Sequence, residues 1–413
     1  MKHHSILMRI LAAAAAVVLM ASALSGCKGE LQTMRLSVPS NIGFDNQPNE
    51  IVLAYDAVSS TRYRDSLDGL QQQVYDQMKL ALSNPQRPTS QTYETSPELD
   101  QEQMTYIANC VWIDNPVFAQ TQTGAIEYAV NGNMLTMTLK QSVEDYEEHM
   151  QRASEALDRA KEIAAKVDSS WSDYDKVKYL HDYIAQNCFY SVETKDTNNE
   201  AYGVFVLGES MCEGYTDAFM MLCNLVGVDS TATWFDGYIN DGEDPVNGHV
   251  WNVVQMDGEY YHIDVTTNDG NATTNGETQI RPADQISYVR FGLTTEEYKA
   301  VFPEGVTFNE HNEVALPPCT ATKYQYYRYH NLLFDSYDRA TVAEALARNY
   351  KEVSRNGNTL SEVQFTNRTA YNQALADADY MVHDYFQLAG ISEERYVSNF
   401  DDRQLVLGIT LPE

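Results

Sequence analysis

A thiol, an imidazole and a carboxylate are the side chains that together make a nucleophile, its base and the group that orients the base. One stretch of this 413-residue chain offers all three. Ser210-Met211-Cys212-Glu213 has the S-x-x-E form of a helix capping box, just before the apolar run Phe219-Met220-Met221-Leu222. With Ser210 as the cap, Cys212 falls in the first helical turn. There the helix dipole and unpaired amide hydrogens favour a thiolate and can hold an oxyanion developing on a substrate carbonyl. Gly214 removes a side chain beside the sulfur and is read as room for a substrate or a strand to approach. A lone cysteine at a helix start is more often structural, so its partners decide.

Those partners stand on a second motif. His249-Val250-Trp251-Asn252-Val253-Val254-Gln255 and Glu259-Tyr260-Tyr261-His262-Ile263-Asp264-Val265 flank Met256-Asp257-Gly258. An Asp-Gly pair between two strand-like runs predicts a two-residue hairpin. That register sets Met256 opposite Glu259 and Trp251 opposite Asp264, with His249 diagonal to Asp264 on the same face. Diagonal neighbours lie about 7–8 Å apart, a gap that an imidazole and a carboxylate can close. A slip of one residue would put them on opposite faces. His262 shares that face and is a rival base; His249 is preferred because it follows Asn247-Gly248 at a strand mouth. Zinc held by Cys212, His249, His262 and Asp264 is the inorganic alternative, weakened by the lack of closely spaced ligand pairs beyond His262-x-Asp264.

The elements that must position these residues follow from periodicity. Apolar steps of three and four predict helices over 66–82, 104–112, 143–167, 173–186 and 210–225, then over 339–353 and 370–388. Strands are expected at 51–55, at 125–130 and 134–139 about Gly132, in the hairpin, and at 405–411. Residues 84–101 and the stretch from 269 to about 285 read as loops. Tyr324, Tyr326, Tyr327 and Tyr329 could stack on a sugar or a peptide, though such a cluster more often packs a sheet.

Composition narrows the function. Hydrophobic residues make up 43% and charged residues 21%, which fits a globular chain with a true core. The net charge of -31 and the absence of a basic run argue against nucleic acid and against electrostatic attachment to an anionic membrane. Lys2 and Arg9 precede the apolar run Ile10–Ala23, the layout of a secretory signal. Leu24-Ser25-Gly26-Cys27 then resembles the lipobox of bacterial lipoproteins, which implies cleavage before Cys27 and a diacylglyceryl anchor on its thiol. The apolar run is too short for a membrane-spanning helix. Setting Cys27 aside leaves five cysteines, an odd number that hints at one kept free for reactivity.

Taken together, His181-Asp182-Tyr183-Ile184, Ala201-Tyr202-Gly203, Cys212-Glu213-Gly214-Tyr215, His249 to Val254 and Asp257 to Thr266 resemble the transglutaminase-like superfamily over about Asp173 to Asp269. The resemblance implies an α+β, papain-like catalytic core, with a helix carrying the cysteine packed on an antiparallel sheet carrying histidine and aspartate. It implies Cys212 as nucleophile, His249 as general base and acid, and Asp264 as the orienter of His249. His181 would be a structural helix residue, and His262 a strand residue beside the site. Thr267 stands where the family often has tryptophan. The oxyanion donor varies among members, and Tyr190 and Tyr202 are the candidates here. No metal or organic cofactor is implied.

The expected layout is a signal at 1–26, an α+β module at 27–142, the catalytic domain at 143–315 and a second α+β module at 316–413. The expected activity is thiol-dependent acyl transfer on protein, peptide or cell-wall peptide amides outside the membrane. A non-catalytic binding protein on the same fold is the alternative. Substrate, oligomeric state and the choice among transamidation, deamidation and proteolysis are not legible in the sequence.

Overall fold

The computed structural model describes residues 55–83, 90–94, 99–117, 126–131, 134–139, 143–191, 196–239, 246–269, 285–302, 307–308, 316–392 and 395–411. The leader, Cys27 and most of the strand expected at 51–55 lie outside the described residues. Two compact units emerge: Met1–Asp158 with Trp234–His249 and Thr307–Ala315, and Arg159–Thr233 with Val250–Val306 and Leu316–Glu413.

In the first unit, α1 (Arg62–Ser66), α2 (Gly69–Ser83) and α3 (Gln101–Asp114) pack together, burying Tyr63, Tyr75, Met78, Ile107 and Val111. A full capping box starts α3, with Asp100 accepting from the Gln103 amide and the Gln103 side chain accepting from the Asp100 amide. Asp114 at its far end accepts from the amides of Tyr63 and Arg64 and from the Tyr75 hydroxyl, and burial lifts its carboxyl to about 6. Strands β1 (Ser90–Glu94), β2 (Ile126–Asn131) and β3 (Met134–Leu139) form an antiparallel sheet in the order β1-β3-β2. Asn131 pairs with Met134 in the hairpin that the sequence predicts about Gly132.

The long helix α4 (Val143–Ala164) leads into the second unit. There α5 (Asp173–Asn187) starts on Ser172, whose hydroxyl accepts from the Asp175 amide, and buries Tyr174, Val177, Leu180, His181 and Ile184 on one face. Two short strands, β4 (Phe189–Tyr190) and β5 (Glu209–Ser210), pair in parallel and frame a π-helical turn at Gly203–Leu207. Helix α6 (Cys212–Leu225) is apolar almost all round, and every residue from Gly214 to Cys223 is buried, so it is the central helix of the unit.

A five-stranded sheet follows, with β6 (Ser230–Ile239), β7 (Val246–Met256), β8 (Glu259–Ile263), β9 (Phe291–Leu293) and β10 (Thr307–Phe308) in the order β10-β6-β7-β8-β9. The helical turn α7 (Val265–Asn268) lies between β8 and β9, and α8 (Thr295–Lys299) follows β9. Met256 pairs with Glu259 and Asn252 with Ile263, the register that the Asp-Gly turn dictates. Asp257 and Gly258 both have positive φ, 53° and 83°, as a tight twisted hairpin requires. The turn is also clasped from outside: Asp257 accepts from Lys323 at 2.7 Å and from the Tyr324 hydroxyl.

The segment Leu316–Glu413 belongs to the second unit. It comprises α9 (Tyr326–Tyr329), β11 (Leu333–Phe334), α10 (Arg339–Val353), β12 (Leu360–Phe365), α11 (Arg368–Ala376), α12 (Ala378–Ala389), β13 (Val397–Asp401) and β14 (Val406–Thr410). Its four strands run in the order β11-β12-β14-β13. The single helix expected over 370–388 is two helices, because Asp377 leaves the helical region (φ -111°, ψ 11°) while its carboxylate takes hydrogen bonds from Arg339 and Tyr337. The tyrosines after residue 323 form core: Tyr326 stacks on Tyr288 at 3.8 Å, Tyr327 donates to the buried Glu362, and only Tyr329 of the four is exposed. Each large apolar side chain buried in this way contributes roughly 1.5–3 kcal/mol.

Candidate active site

Cys212 is the first residue of α6, and its neighbour Met211 caps the helix through backbone alone. Ser210 is therefore not the cap that the sequence motif suggests. Its backbone is taken by the β4–β5 pairing, where the Ser210 carbonyl accepts from the Ser191 amide at 2.8 Å. The space read as an opening at Gly214 is also filled from within the chain. A Cβ there would stand 2.0 Å from Ser210 Oγ and 2.7 Å from the Glu200 carbonyl oxygen. Gly214 thus lets α6 seat against its own flanking loop, and that close fit fixes where the sulfur starts.

Five cysteines among the described residues are free thiols, and all are buried. Cys212, at 8% exposure, is the most accessible of them, since the other four lie between 0% and 2%. Its Sγ donates a hydrogen bond to Glu213 Oε2 at 3.5 Å. Burial pushes the thiol well above its ordinary value, and the Glu213 and Asp264 carboxylates push the same way. The Val250 amide, hydrogen-bonded to the sulfur, pulls it back. Burial and the two carboxylates thus work against the thiolate that a helix N-terminus alone favours. Ionising the sulfur requires a positive partner to offset the two carboxylates.

Val250 is the next residue after His249 on β7, and the His249 side chain is partly exposed. Asp264 follows the last residue of β8 and caps α7. Continuing the hairpin register by one step puts it opposite Trp251. It is 1% exposed. Its Oδ1 accepts from the Thr267 amide at 3.0 Å, and its Oδ2 accepts from the Thr267 hydroxyl at 2.6 Å and the Tyr298 hydroxyl at 2.8 Å. Asp264 and Cys212 are close enough that the carboxylate raises the thiol.

The rival base, His262, is buried in a different role. Trp251 donates its indole N–H to His262 Nδ1 at 3.0 Å, so Nε2 carries the proton and meets Thr295 Oγ1 at 3.0 Å. Both ring nitrogens are used, which leaves neither for a substrate or a metal. Burial, with nearby Lys299, lowers the imidazole to about 3. His181 is fully buried in α5 and meets Asp182 at 3.0 Å and Asn268 at 3.0 Å, the structural role expected of it.

Of the two oxyanion candidates, Tyr190 is brought to the sulfur. It pairs with Ser210 across β4 and β5, and after burial the groups that raise its phenol are Cys212, Glu213 and Asp264. Tyr202 sits at the start of the π-helical turn. Two contributors escaped the sequence reading. The Val250 amide carries no side-chain signal. Tyr298 was within reach, because Thr294-x-x-Glu297 is a capping box that starts α8 and sets Tyr298 one turn in.

A central helix that opens on cysteine, set beside an antiparallel sheet whose hairpin bears histidine and aspartate, is the papain-like, transglutaminase-like arrangement. Residues 158–265 match the family model of the transglutaminase-like superfamily, a family of thiol-dependent enzymes. No curated protein matches the chain. Among solved structures, a proposed cysteine protease from Cytophaga hutchinsonii is 20% identical over 28% of this chain and 38% of its own, with a TM-score of 0.22. A TGase is 15% identical over 46% of this chain and 54% of its own, with a TM-score of 0.23. The chain spans less than two thirds of the length of either.

Proposed function

We propose that this protein is a thiol acyl-transfer enzyme acting on protein or peptide amides, with Cys212 as nucleophile, His249 as base and acid, and Asp264 as the group that orients His249. His249 takes the Cys212 proton, and the sulfur attacks the amide carbon to give a tetrahedral oxyanion. The first-turn amides of α6 and the Tyr190 phenol stabilise that oxyanion. As the C–N bond breaks, the imidazolium returns its proton to the departing nitrogen, leaving a thioester on Cys212. An amine then resolves the thioester to a new amide, or water resolves it to an acid. No cofactor enters the cycle.

The observation that carries the reading is the setting of one sulfur. It opens the central helix, takes the amide of the residue after His249, and feels the charge of Asp264. The raised thiol fits this chemistry, because a nucleophile surrounded by carboxylates becomes reactive only when an imidazolium joins it.

The decisive measurement incubates the purified protein with a glutamine-containing protein and a labelled primary amine, read by mass spectrometry. Amine incorporation, a gain of about one dalton from deamidation, or backbone cleavage each identifies the second half-reaction, and Cys212→Ala must abolish it. The absence of any product would favour a peptide-binding or cell-wall-binding protein on the same fold.

The leader supports a second part of the proposal, that the enzyme works outside the cytoplasm, held to the membrane by a lipid on Cys27. The mass of the mature N-terminus tests it: a diacylglyceryl-modified Cys27 is expected, and an unmodified terminus cut elsewhere would remove the anchor.

A further inference from the structure

Asp264 is almost completely buried, at 1% exposure, and burial alone favours the neutral acid. A neutral acid cannot stabilise an imidazolium. Two hydroxyls and one amide offset that tendency. Thr267 supplies its amide to Oδ1 and its hydroxyl to Oδ2, and Tyr298 adds a second hydroxyl to Oδ2 at 2.8 Å. A carboxylate that accepts two or three hydrogen bonds is held in its charged form.

Tyr298 is itself held tightly. It is 1% exposed and lies in the first turn of the capped helix α8. Its ring stacks on Trp251 at 4.4 Å and 17°, and on His262 at 5.1 Å. Trp251 is the residue opposite Asp264 on β7 and is pinned through its indole N–H to His262, which in turn meets Thr295 in α8. The chain from strand to histidine to helix closes on the tyrosine that touches the carboxylate. The titratable groups around Asp264 include Cys212 and Tyr190 on the thiol side and Tyr298 behind it, with Arg290 near the tyrosine and His249 the proposed partner.

We infer that Tyr298 and Thr267 are positioning residues that act through Asp264, their two hydroxyls keeping it ionised and its oxygens fixed for the imidazole. Neither residue lies in the segment matched by the family model, which ends at 265. Thr267 is also the position at which the chain departs from the tryptophan common in the resembling family. The inference rests on the proposed triad, so the experiment must separate the two.

Tyr298→Phe and Thr267→Val remove one hydroxyl each while keeping shape, and Thr267→Ser restores a hydroxyl. Each is made in the full chain and compared with Cys212→Ala. Two readouts serve: kcat and KM for amine incorporation, and the pH profile of iodoacetamide labelling at Cys212. Loss of either hydroxyl should lower kcat about tenfold with KM within twofold. It should also move the labelling midpoint to higher pH, because a weakened Asp264 stabilises the imidazolium less. Thr267→Ser should recover both values.

If Cys212→Ala leaves the product unchanged, the triad itself falls. If Cys212→Ala abolishes it while Tyr298→Phe and Thr267→Val retain wild-type kcat and labelling profile, only the positioning role falls. Should Tyr298→Phe fail to fold, the Thr267 pair decides alone: equal loss in Val and Ser variants would mean packing, not a hydroxyl, and would overturn the inference.

Discussion

Asp182 and Asp264 are both buried aspartates in the same unit, and their surroundings differ in kind. Asp182 lies in a closed cage. Burial raises its carboxyl, but Lys178 at 2.6 Å and His181 at 3.0 Å hold it below the ordinary carboxylate range, and the Tyr288 hydroxyl completes the set at 3.0 Å. Asp264 is surrounded by hydroxyls and an amide, with a thiol in range of its charge. A carboxylate already neutralised by a lysine is a strut. In the proposed cycle, one kept charged by neutral donors would retain negative potential for an imidazole that acquires charge during turnover.

Substitution should separate them sharply. Asp264→Asn keeps an acceptor for the α7 cap but loses the charge, and should cut kcat by at least about a thousandfold with little change in melting temperature. Asp182→Asn should do the reverse. It strands Lys178, which is mostly buried, and should lower stability by roughly 3 kcal/mol while kcat per folded molecule stays within a few-fold. Urea melts together with turnover on the same samples check both, and equal kinetic losses in the two variants would break the distinction.

The pH dependence of stability tests whether His262 belongs with the struts. Its folded value is about 3 against about 6.5 when exposed, so the unfolded chain binds the proton more readily. Stability from this residue is complete above about pH 6.5 and falls as pH drops toward 3, by about 1.4 kcal/mol per unit. Asp182, whose carboxyl is lowered, adds a loss in the same direction below about pH 4. In His262→Gln, the melting temperature should depend less steeply on pH between 6 and 4. An unaltered slope would mean that this imidazole does not set the acid limb.

Much of this arrangement was legible because it depends on local rules. Asp257-Gly258 fixed the hairpin, the hairpin fixed the register, and the register put His249 two residues from the partner of Asp264. The helices over 173–187 and 339–353 were read almost to their ends. Errors arose where a distant contact overrode a local signal. Ser210 looked like a cap, but β4 recruits its backbone. Gly214 looked open, but the Glu200 carbonyl occupies the space. The thiol looked activated by its helix, but burial and two carboxylates push it the other way. Tyr298 reaches Asp264 from 34 residues away, a contact that no local periodicity signals.

The clasp on the hairpin turn has a consequence for how the protein comes into being. Asp257 is gripped by Lys323 and Tyr324, and Tyr174 in α5 meets His330 across 156 residues of chain. A ribosome that has delivered the cysteine, the histidine and the aspartate has therefore not yet delivered what holds them. Until some sixty further residues emerge, through Lys323 and Tyr324, the hairpin turn lacks its brace.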